Sequence, residues 1–159
     1  MAGVSSRQYP IFTKFGWREI VDVEVGQSVM THVGRFRKVT KIVREWPQNE
    51  MCQLASSVKK IKGGGQNIIV VESDTLIFLN DYGWVNAGSI IPKDLVRFVF
   101  AKKGKNPLFR PVEITRIKQL KNRPKRTISL EVEEDNSYVV KGFLIQGYIA
   151  DTYSEVYKI

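Results

Sequence analysis

Short runs of β-branched and aromatic residues recur along this chain, and turn-forming residues separate them. The runs lie at residues 36–43, 67–71, 76–79, 95–100, 112–117, 127–132, 138–140 and 143–145. Glycine, asparagine, aspartate and proline cluster between them, at 63–65, 80–83, 103–107 and 135–137. Few windows of a dozen residues repeat apolar positions at the three- and four-residue spacing of an amphipathic helix. The sequence therefore predicts an all-β domain of many short strands.

The size and composition of the chain fit one globular domain over residues 1–159. Hydrophobic residues make up 43% of the chain and charged residues 26%, which excludes a disordered or a fibrous protein. Cys52 and His32 are the single cysteine and the single histidine, so a disulfide framework, a cysteine-rich zinc site and a histidine metal cluster are excluded. We expect no cofactor and no metal, and we expect Cys52 to be a buried structural thiol.

Three other features of the sequence have an unremarkable interpretation. The acidic run at residues 131–135 is more typical of a solvated strand end than of a calcium site. Glycines 63–65 lack the Lys-Ser or Lys-Thr of a phosphate-binding loop, and they predict a flexible hairpin loop. His32 lies in a turn-like sequence, where we expect a hairpin-tip or surface residue with no nucleophile nearby.

The first ten residues lack the apolar core of a signal peptide, and no stretch approaches the roughly 18 apolar residues of a membrane span. We therefore expect a protein that no signal peptide exports and that contacts no membrane. A cytoplasmic location follows from this expectation.

Positive charge is concentrated in one segment of the chain. The net charge is +9, and residues 97–126 contain eleven Lys or Arg against one acidic residue, Glu113. We expect a basic hairpin extension whose lysines and prolines protect exposed strand edges. The candidate interaction residues are Lys102, Lys103, Lys105, Lys118, Lys121, Arg123, Lys125 and Arg126.

A patch of this kind suits the acidic face of another protein, or the phosphates of a nucleic acid. The aromatic residues of the segment are Phe98, Phe100 and Phe109, and none interrupts its most basic run. A stacking platform for single strands is therefore weakly indicated, and docking to an acidic protein or simple solvation is favoured.

Two segments of the chain echo each other. Residues 20–31 and 87–96 each pass through a turn into a strand that carries Val29 or Val96. A pseudo-twofold β fold would produce this echo, and so would chance.

Three stretches, taken in order, resemble the motif blocks of the Hint fold, which inteins and the Hedgehog autoprocessing domain share. Residues 13–31 read TKFGWREIVDVEVGQSVMT, similar to the N-terminal block with its Thr, turn Gly and Val-Gly-Asp-x-Val. Residues 71–79, 83–87 and 90–96 read VESDTLIFL, GWVNA and IIPKDLV, similar to Thr-x-x-His, a Gly-Trp turn and Leu-Lys-Pro-Gly-Asp-x-Val. Residues 128–148 read ISLEVEEDNSYVVKGFLIQGY, similar to the C-terminal blocks that end in His-Asn.

The resemblance covers most of the chain, and it implies a horseshoe-shaped, pseudo-twofold β fold. The shared positions are alternate apolar residues and turn glycines, namely Gly16, Gly26, Gly83 and Gly142.

The resemblance also implies a chemistry, whose first step lacks its usual residues here. In the family an N-terminal Cys or Ser attacks the preceding carbonyl, helped by Thr-x-x-His. The match places the nucleophile between residues 3 and 6, where Ser5 and Ser6 are the available hydroxyls. Glu72 and Thr75 take the places of the Thr and the His, and a carboxylate repels a developing oxyanion.

The C-terminal chemical positions are replaced as well. Ser129 stands where an aspartate is common, Asn136 where the block has a histidine, and Gln146-Gly147-Tyr148 where inteins have His-Asn and a nucleophile. Glycine has no side chain that cyclises, and the chain continues to Ile159. The resemblance therefore implies a degenerate Hint domain that is not an enzyme.

We expect a structural or protein-interaction module whose partners are other protein subunits. Because inteins are concentrated in phages and mobile elements, the resemblance also implies a bacteriophage component, such as a virion accessory protein. The C-terminal tail, residues 149–159, is expected to dock against this chain or another. The alternatives are a self-processing Hint enzyme that uses Ser5 or Ser6, and a basic nucleic-acid-binding module.

Overall fold

The computed structural model describes residues 3–5, 9–47, 49–59, 66–121 and 126–149, and it confirms the all-β prediction. The strands are β1 (Val4–Ser5), β2 (Pro10–Thr13), β3 (Gly16–Glu19), β4 (Ser28–Met30), β5 (Phe36–Glu45), β6 (Met51–Lys59), β7 (Gln66–Glu72), β8 (Leu76–Leu79), β9 (Gly83–Asn86), β10 (Leu95–Phe100), β11 (Leu108–Leu120), β12 (Thr127–Val132), β13 (Ser137–Val140) and β14 (Phe143–Gln146). Two 3₁₀ turns, Ile20–Asp22 and Ala87–Ser89, follow β3 and β9.

The strands form one sheet in the order β10-β11-β6-β7-β1-β12-β5-β4-β2-β13-β14-β8-β9, and β3 pairs with β2. The recorded pairs are antiparallel, as hairpin connections require. Strand β10 also pairs with β8 and β14, which brings the start of this order back against its end. The sheet therefore curls on itself, and residues distant in sequence meet.

The core lies around the hairpin of β13 and β14, whose residues are buried on both faces. Tyr138 and Phe143 belong to the main cluster, and the intervening positions Val139 and Leu144 belong to a smaller one. Successive side chains of a strand point to opposite faces, so one hairpin supplies both clusters. Full burial of a side chain such as Phe143 contributes about 1.5–3 kcal/mol.

The predicted echo is a structural repeat. Hairpins β2–β3 and β8–β9 each lead through a 3₁₀ turn into β4 or β10, and from β3 and β9 onward the offset is 67 residues. Val29 and Val96 occupy equivalent, fully buried positions. Gly26, with φ of 94°, corresponds to Lys93, which adopts the same left-handed region with φ of 79°. The pseudo-twofold interpretation is therefore confirmed, and chance is not needed to explain the echo.

Strands β10 and β11 form the hairpin of the basic segment. Val112 of β11 pairs with Val96 of β10, and Lys118 pairs with Gln53 of β6. Residues 108–113 of β11 pair with β10 and residues 114–120 pair with β6, so each half of this long strand has one recorded partner strand.

Several predicted features lie outside the described residues: Ser6, glycines 63–65, Arg123, Lys125 and the tail beyond Ile149. Within the described ranges, no helix has the length and apolar character that a membrane span needs.

Candidate functional site

The N-terminal end of the described chain is held against the residues that align with Thr-x-x-His. The Gly3 amide donates to Thr75 Oγ1 at 3.1 Å, and Thr75 Oγ1 lies 3.2 Å from the Gly3 carbonyl, to which it donates. The Glu72 amide donates to the same carbonyl at 2.9 Å. Strand β1 makes this possible, because Val4 pairs with both Val71 of β7 and Ile128 of β12. The structure thus joins residues 72 positions apart that only the family resemblance related.

Both carboxyl oxygens of Glu72 have hydrogen-bond donors inside the protein. Thr127 Oγ1 donates to Oε1 at 3.2 Å, and the Asn49 amide donates to Oε2 at 3.3 Å. Glu72 is 1% exposed, and this burial raises the pKa of its carboxyl, although the bonds from Asn49 and Thr127 act in the opposite direction. Glu72 therefore connects the end of β7 to Thr127 of β12 and to Asn49, which precedes β6.

Residue 3 has no space for a side chain. A Cβ on Gly3 would lie 2.9 Å from both Cβ and Oγ1 of Thr127, closer than ordinary packing permits. The backbone of Gly3 thus fills the position next to Thr75, and this residue carries no nucleophile.

The C-terminal end of the sheet is closed in a similar way around Gly147. The Gly147 amide donates to the Asn136 carbonyl at 2.7 Å, and the Tyr148 amide donates to the Leu130 carbonyl at 2.8 Å. A Cβ on Gly147 would overlap Asn136 Oδ1 and would lie 2.5 Å from the Leu130 carbonyl oxygen. The position that holds asparagine in inteins therefore accommodates only glycine in this conformation.

Asn136 fastens the turn before β13 to the segment after β14. Its Oδ1 accepts from the Val132 amide at 3.0 Å, and its Nδ2 donates to the Tyr148 carbonyl at 2.9 Å. Its φ of 41° is left-handed, a conformation that asparagine tolerates better than most residues. The side chain that replaces the histidine of the block thus has structural contacts.

The two remaining aligned positions, Ser129 and Gln146, lie near the hydrogen bonds that Asn136 makes. Ser129 is buried next to Tyr138, and burial raises the pKa of the Tyr138 hydroxyl to about 12 even though Ser129 and the Leu130 backbone favour its ionised form. Gln146 Oε1 is buried without a hydrogen-bond partner among the described residues. Neither residue supplies the acid–base group of its counterpart, because serine and glutamine do not titrate near neutral pH.

Comparison with known proteins identifies the architecture. No protein-family model matches the chain, and no curated protein matches it significantly. Its structure is similar to that of the gp41-1 intein, with a TM-score of 0.71 and 15% identity over 92% of this chain and 99% of the intein. The chain has the Hint fold of inteins.

Two further inteins support this assignment. A DnaB intein from Synechocystis sp. PCC 6803 has a TM-score of 0.74 and 13% identity over 94% of this chain and all of the intein. The DnaX mini intein from Spirulina platensis has a TM-score of 0.71 and 18% identity over 92% of this chain and all of the intein. At these identities the likeness establishes the Hint fold and nothing about activity.

His32 lies at the tip of the hairpin of β4 and β5, as predicted, but a hydroxyl is close to it. Its Nδ1 lies 2.6 Å from Ser137 Oγ, and its backbone amide donates to the same oxygen at 2.8 Å. Ser137 is fully buried, so no substrate reaches it. The expectation of no nearby nucleophile was wrong, because the curled Hint sheet brings β13 against this hairpin tip, where Phe78 and Trp84 flank the imidazole.

The acidic run ends in an ion pair. Asp135 accepts from Thr31 Oγ1 at 2.6 Å, from Arg35 Nε at 2.9 Å and from Arg35 Nη2 at 2.6 Å. These contacts, with Arg35 foremost, lower the pKa of Asp135 to about 2. Glu134 lies 3.2 Å from Arg35 and 3.5 Å from Arg37. Among the described residues, no three His, Cys, Asp or Glu side chains converge as metal ligands would.

Cys52 is a free, buried thiol of the Hint core, as we expected. Burial raises its pKa to about 11, so the thiolate that reacts or binds metal is scarce at neutral pH.

The structure separates the candidate interaction residues into two groups. Lys102, Lys103 and Lys105, the hairpin-tip lysines, lie exposed in the turn between β10 and β11. Lys118 and Lys121 lie exposed at the opposite end of β11, about 30 Å along the strand at 3.3 Å per residue. Arg126 is exposed before β12, and its guanidinium lies 5.1 Å from the Trp46 ring.

The β2–β3 hairpin, which carries Trp17, lies beside the hairpin-tip lysines, and no sequence pattern indicated this contact. Trp17 Nε1 donates to the Ala101 carbonyl at 3.1 Å, across 84 residues of sequence. The side chain of Lys103 approaches Gly16 in the same region. Local composition carries no signal for this contact, because the curl of the sheet creates it.

Proposed function

We propose that this chain is a non-catalytic Hint-fold domain that serves as a structural or protein-interaction module. The closed environment of Gly147 is the observation that carries the proposal. In intein chemistry, the side chain of a terminal asparagine attacks the backbone carbonyl of the same residue. Here glycine has no such group, and Asn136 and the Leu130 carbonyl occupy the space that one would need.

The N-terminal end supports the same proposal. The first intein step requires a nucleophile beside groups that stabilise an oxyanion. Gly3 is held there by its backbone, and the hydroxyl of Thr75 is already bonded to the Gly3 amide and carbonyl. Glu72 accepts hydrogen bonds from Thr127 and the Asn49 amide, so both of its carboxyl oxygens have structural contacts. These residues have the contacts of a structural joint.

Intact-mass measurement tests the proposal directly. Purified protein is incubated for a day with a thiol or with hydroxylamine, and its mass is followed beside that of the Ser5→Ala/Ser6→Ala double variant. The proposal predicts an unchanged mass for both proteins. Loss of a terminal fragment from the unmodified protein alone would establish the self-processing alternative.

The remaining expectations about partners stay predictions. A role in a virion rests on the family resemblance alone. Nucleic-acid binding stays a prediction: exposed Arg110 and Arg116 lie on β11 between the hairpin-tip lysines and Lys118, and Arg123 and Lys125 lie outside the described residues.

A further inference from the structure

An open groove lies between the tip of the β10–β11 hairpin and the β2–β3 hairpin. Its volume is about 900 Å³. Trp17, Val99, Phe100 and Leu108 contribute apolar surface to it. Leu108 is 53% exposed and Phe100 38% exposed, so large apolar side chains face solvent there. Contiguous exposed apolar surface of this kind marks a binding site in many soluble proteins.

The wall and the floor of the groove are fixed by packing. The indole of Trp17 is held by its bond to the Ala101 carbonyl and by edge-to-face contact with Phe12, 5.0 Å between ring centroids. Gly142 lies in the floor, where a Cβ would overlap the ring of Phe98. A ligand would therefore meet a preformed surface and would not have to order it.

The rim of the groove is basic. Lys102 and Lys105 line it, and both are exposed. Lys141 also lines it, although its ammonium already donates to the Ile68 carbonyl. None of the described lining residues is acidic. The groove therefore combines an apolar floor with the positive charges of Lys102 and Lys105.

We propose that this groove binds an acidic peptide segment of a partner protein that inserts a large apolar side chain between Trp17 and Leu108. The inference rests on the proposed interaction role and assigns it a surface. The apolar floor receives the anchor, and Lys102 and Lys105 attract the flanking carboxylates.

A peptide fits this surface better than a nucleic acid. Pro10, Val58, Val99 and Leu108 give the lining aliphatic surface that suits a peptide side chain, and Trp17 and Phe100 are the aromatic rings on which a base would have to stack. Exposed Arg110 and Arg116 lie on β11 between the rim and Lys118, so a nucleic-acid probe is needed to test the alternative.

Fluorescence anisotropy with a labelled acidic probe tests the proposal. The probe is the peptide DEDLFEDE, and the matched peptide DEDGSEDE has the same charge without the apolar anchor. We expect saturable binding of the first peptide and at least about tenfold weaker binding of the second. Failure of DEDLFEDE to bind, or equal binding of the two peptides, would overturn the proposal.

Two matched double variants locate the binding surface. Lys102→Glu/Lys105→Glu and Lys118→Glu/Lys121→Glu change the net charge equally at opposite ends of β11. We expect the first to weaken binding at least about tenfold and the second to change it less than about twofold. Equal losses would mean non-specific attraction and would refute the groove. Leu108→Asp, at an exposed position, should abolish binding while leaving the circular dichroism spectrum unchanged.

A labelled oligothymidine is the competing probe. If it binds more tightly than DEDLFEDE and the loss follows Lys102→Glu/Lys105→Glu, the surface serves nucleic acid and the peptide proposal is wrong. These outcomes are independent of the intact-mass test. A chain that keeps its full mass but binds no peptide would refute the peptide-binding proposal and leave the proposal of a non-catalytic domain intact.

Discussion

Replacing Gly147 with alanine tests whether the C-terminal end of the sheet has room for a side chain. The new Cβ would overlap Asn136 Oδ1 and would lie 2.5 Å from the Leu130 carbonyl oxygen. The Leu130 carbonyl is part of the β12 backbone and accepts from the Tyr148 amide. The Asn136 side chain must therefore move first.

The cost follows from the contacts that this movement breaks. Asn136 would lose its bonds to the Val132 amide and the Tyr148 carbonyl, worth about 1 kcal/mol each. The remaining overlap with the Leu130 carbonyl adds about 1–3 kcal/mol of overpacking. We expect Gly147→Ala to lower the free energy of unfolding by about 3–5 kcal/mol. With a urea m-value of about 2 kcal/mol per molar, the midpoint falls by about 1.5–2.5 M.

Gly83→Ala is the matched control for urea unfolding followed by tryptophan fluorescence. Gly83 has φ of 79° and no atom within 4 Å of an added Cβ, so alanine there costs only its backbone strain, about 1–2 kcal/mol. A midpoint for Gly147→Ala at or above that of Gly83→Ala would refute the claim that the Gly147 position is closed.

Three further outcomes follow from the structure. Burial raises the pKa of Glu72 in the folded protein above its value in the unfolded chain. The protonated carboxyl therefore contributes stability that is fully present below the pKa of the unfolded chain and is lost as pH rises through the pKa of the folded protein. Glu72→Gln should therefore gain stability relative to the unmodified protein between pH 4 and pH 8, and a constant difference in urea midpoints across that range would contradict this. Lys93→Gly should raise the free energy of unfolding by about 0.5–1 kcal/mol, because the left-handed φ of 79° strains lysine. Gly26→Ala at the equivalent position should lower the free energy of unfolding. Shifts of the same sign for the two variants would argue against the structural repeat. Cys52 should react with an aromatic disulfide reagent only after unfolding in denaturant, since it is buried and its pKa is raised to about 11; labelling of the native protein at the rate of a free thiol would show that the site is open.

Much of the strand pattern was predictable from local chemistry. The strands at Leu76–Leu79, Leu95–Phe100 and Thr127–Val132 have the predicted bounds, because β-branched runs end there at turn residues. Strands β2 and β3 were missed, since each has only four residues and β3 carries the charged Arg18 and Glu19. Burial by distant partners decides these segments, and local propensity does not show it.

The sequence indicated which residues align with the catalytic positions of inteins, but it did not indicate which residues contact them in the folded protein. The family resemblance placed Glu72, Thr75 and Gly147 at aligned positions. It did not show that Gly3 bonds to Thr75 or that Asn136 occupies the space beside Gly147. Such contacts depend on the register of a curled sheet, which a one-residue slip would change completely.

We propose that this Hint-fold chain carries out no self-processing, and a double fusion tests that proposal most directly. The 159 residues are placed between two stable reporter domains, and an active intein in the same fusion serves as the positive control. After a day with thiol, the account predicts a single species with the full mass of the fusion. A ligated pair of reporters, or a free reporter that accumulates with time, would contradict it.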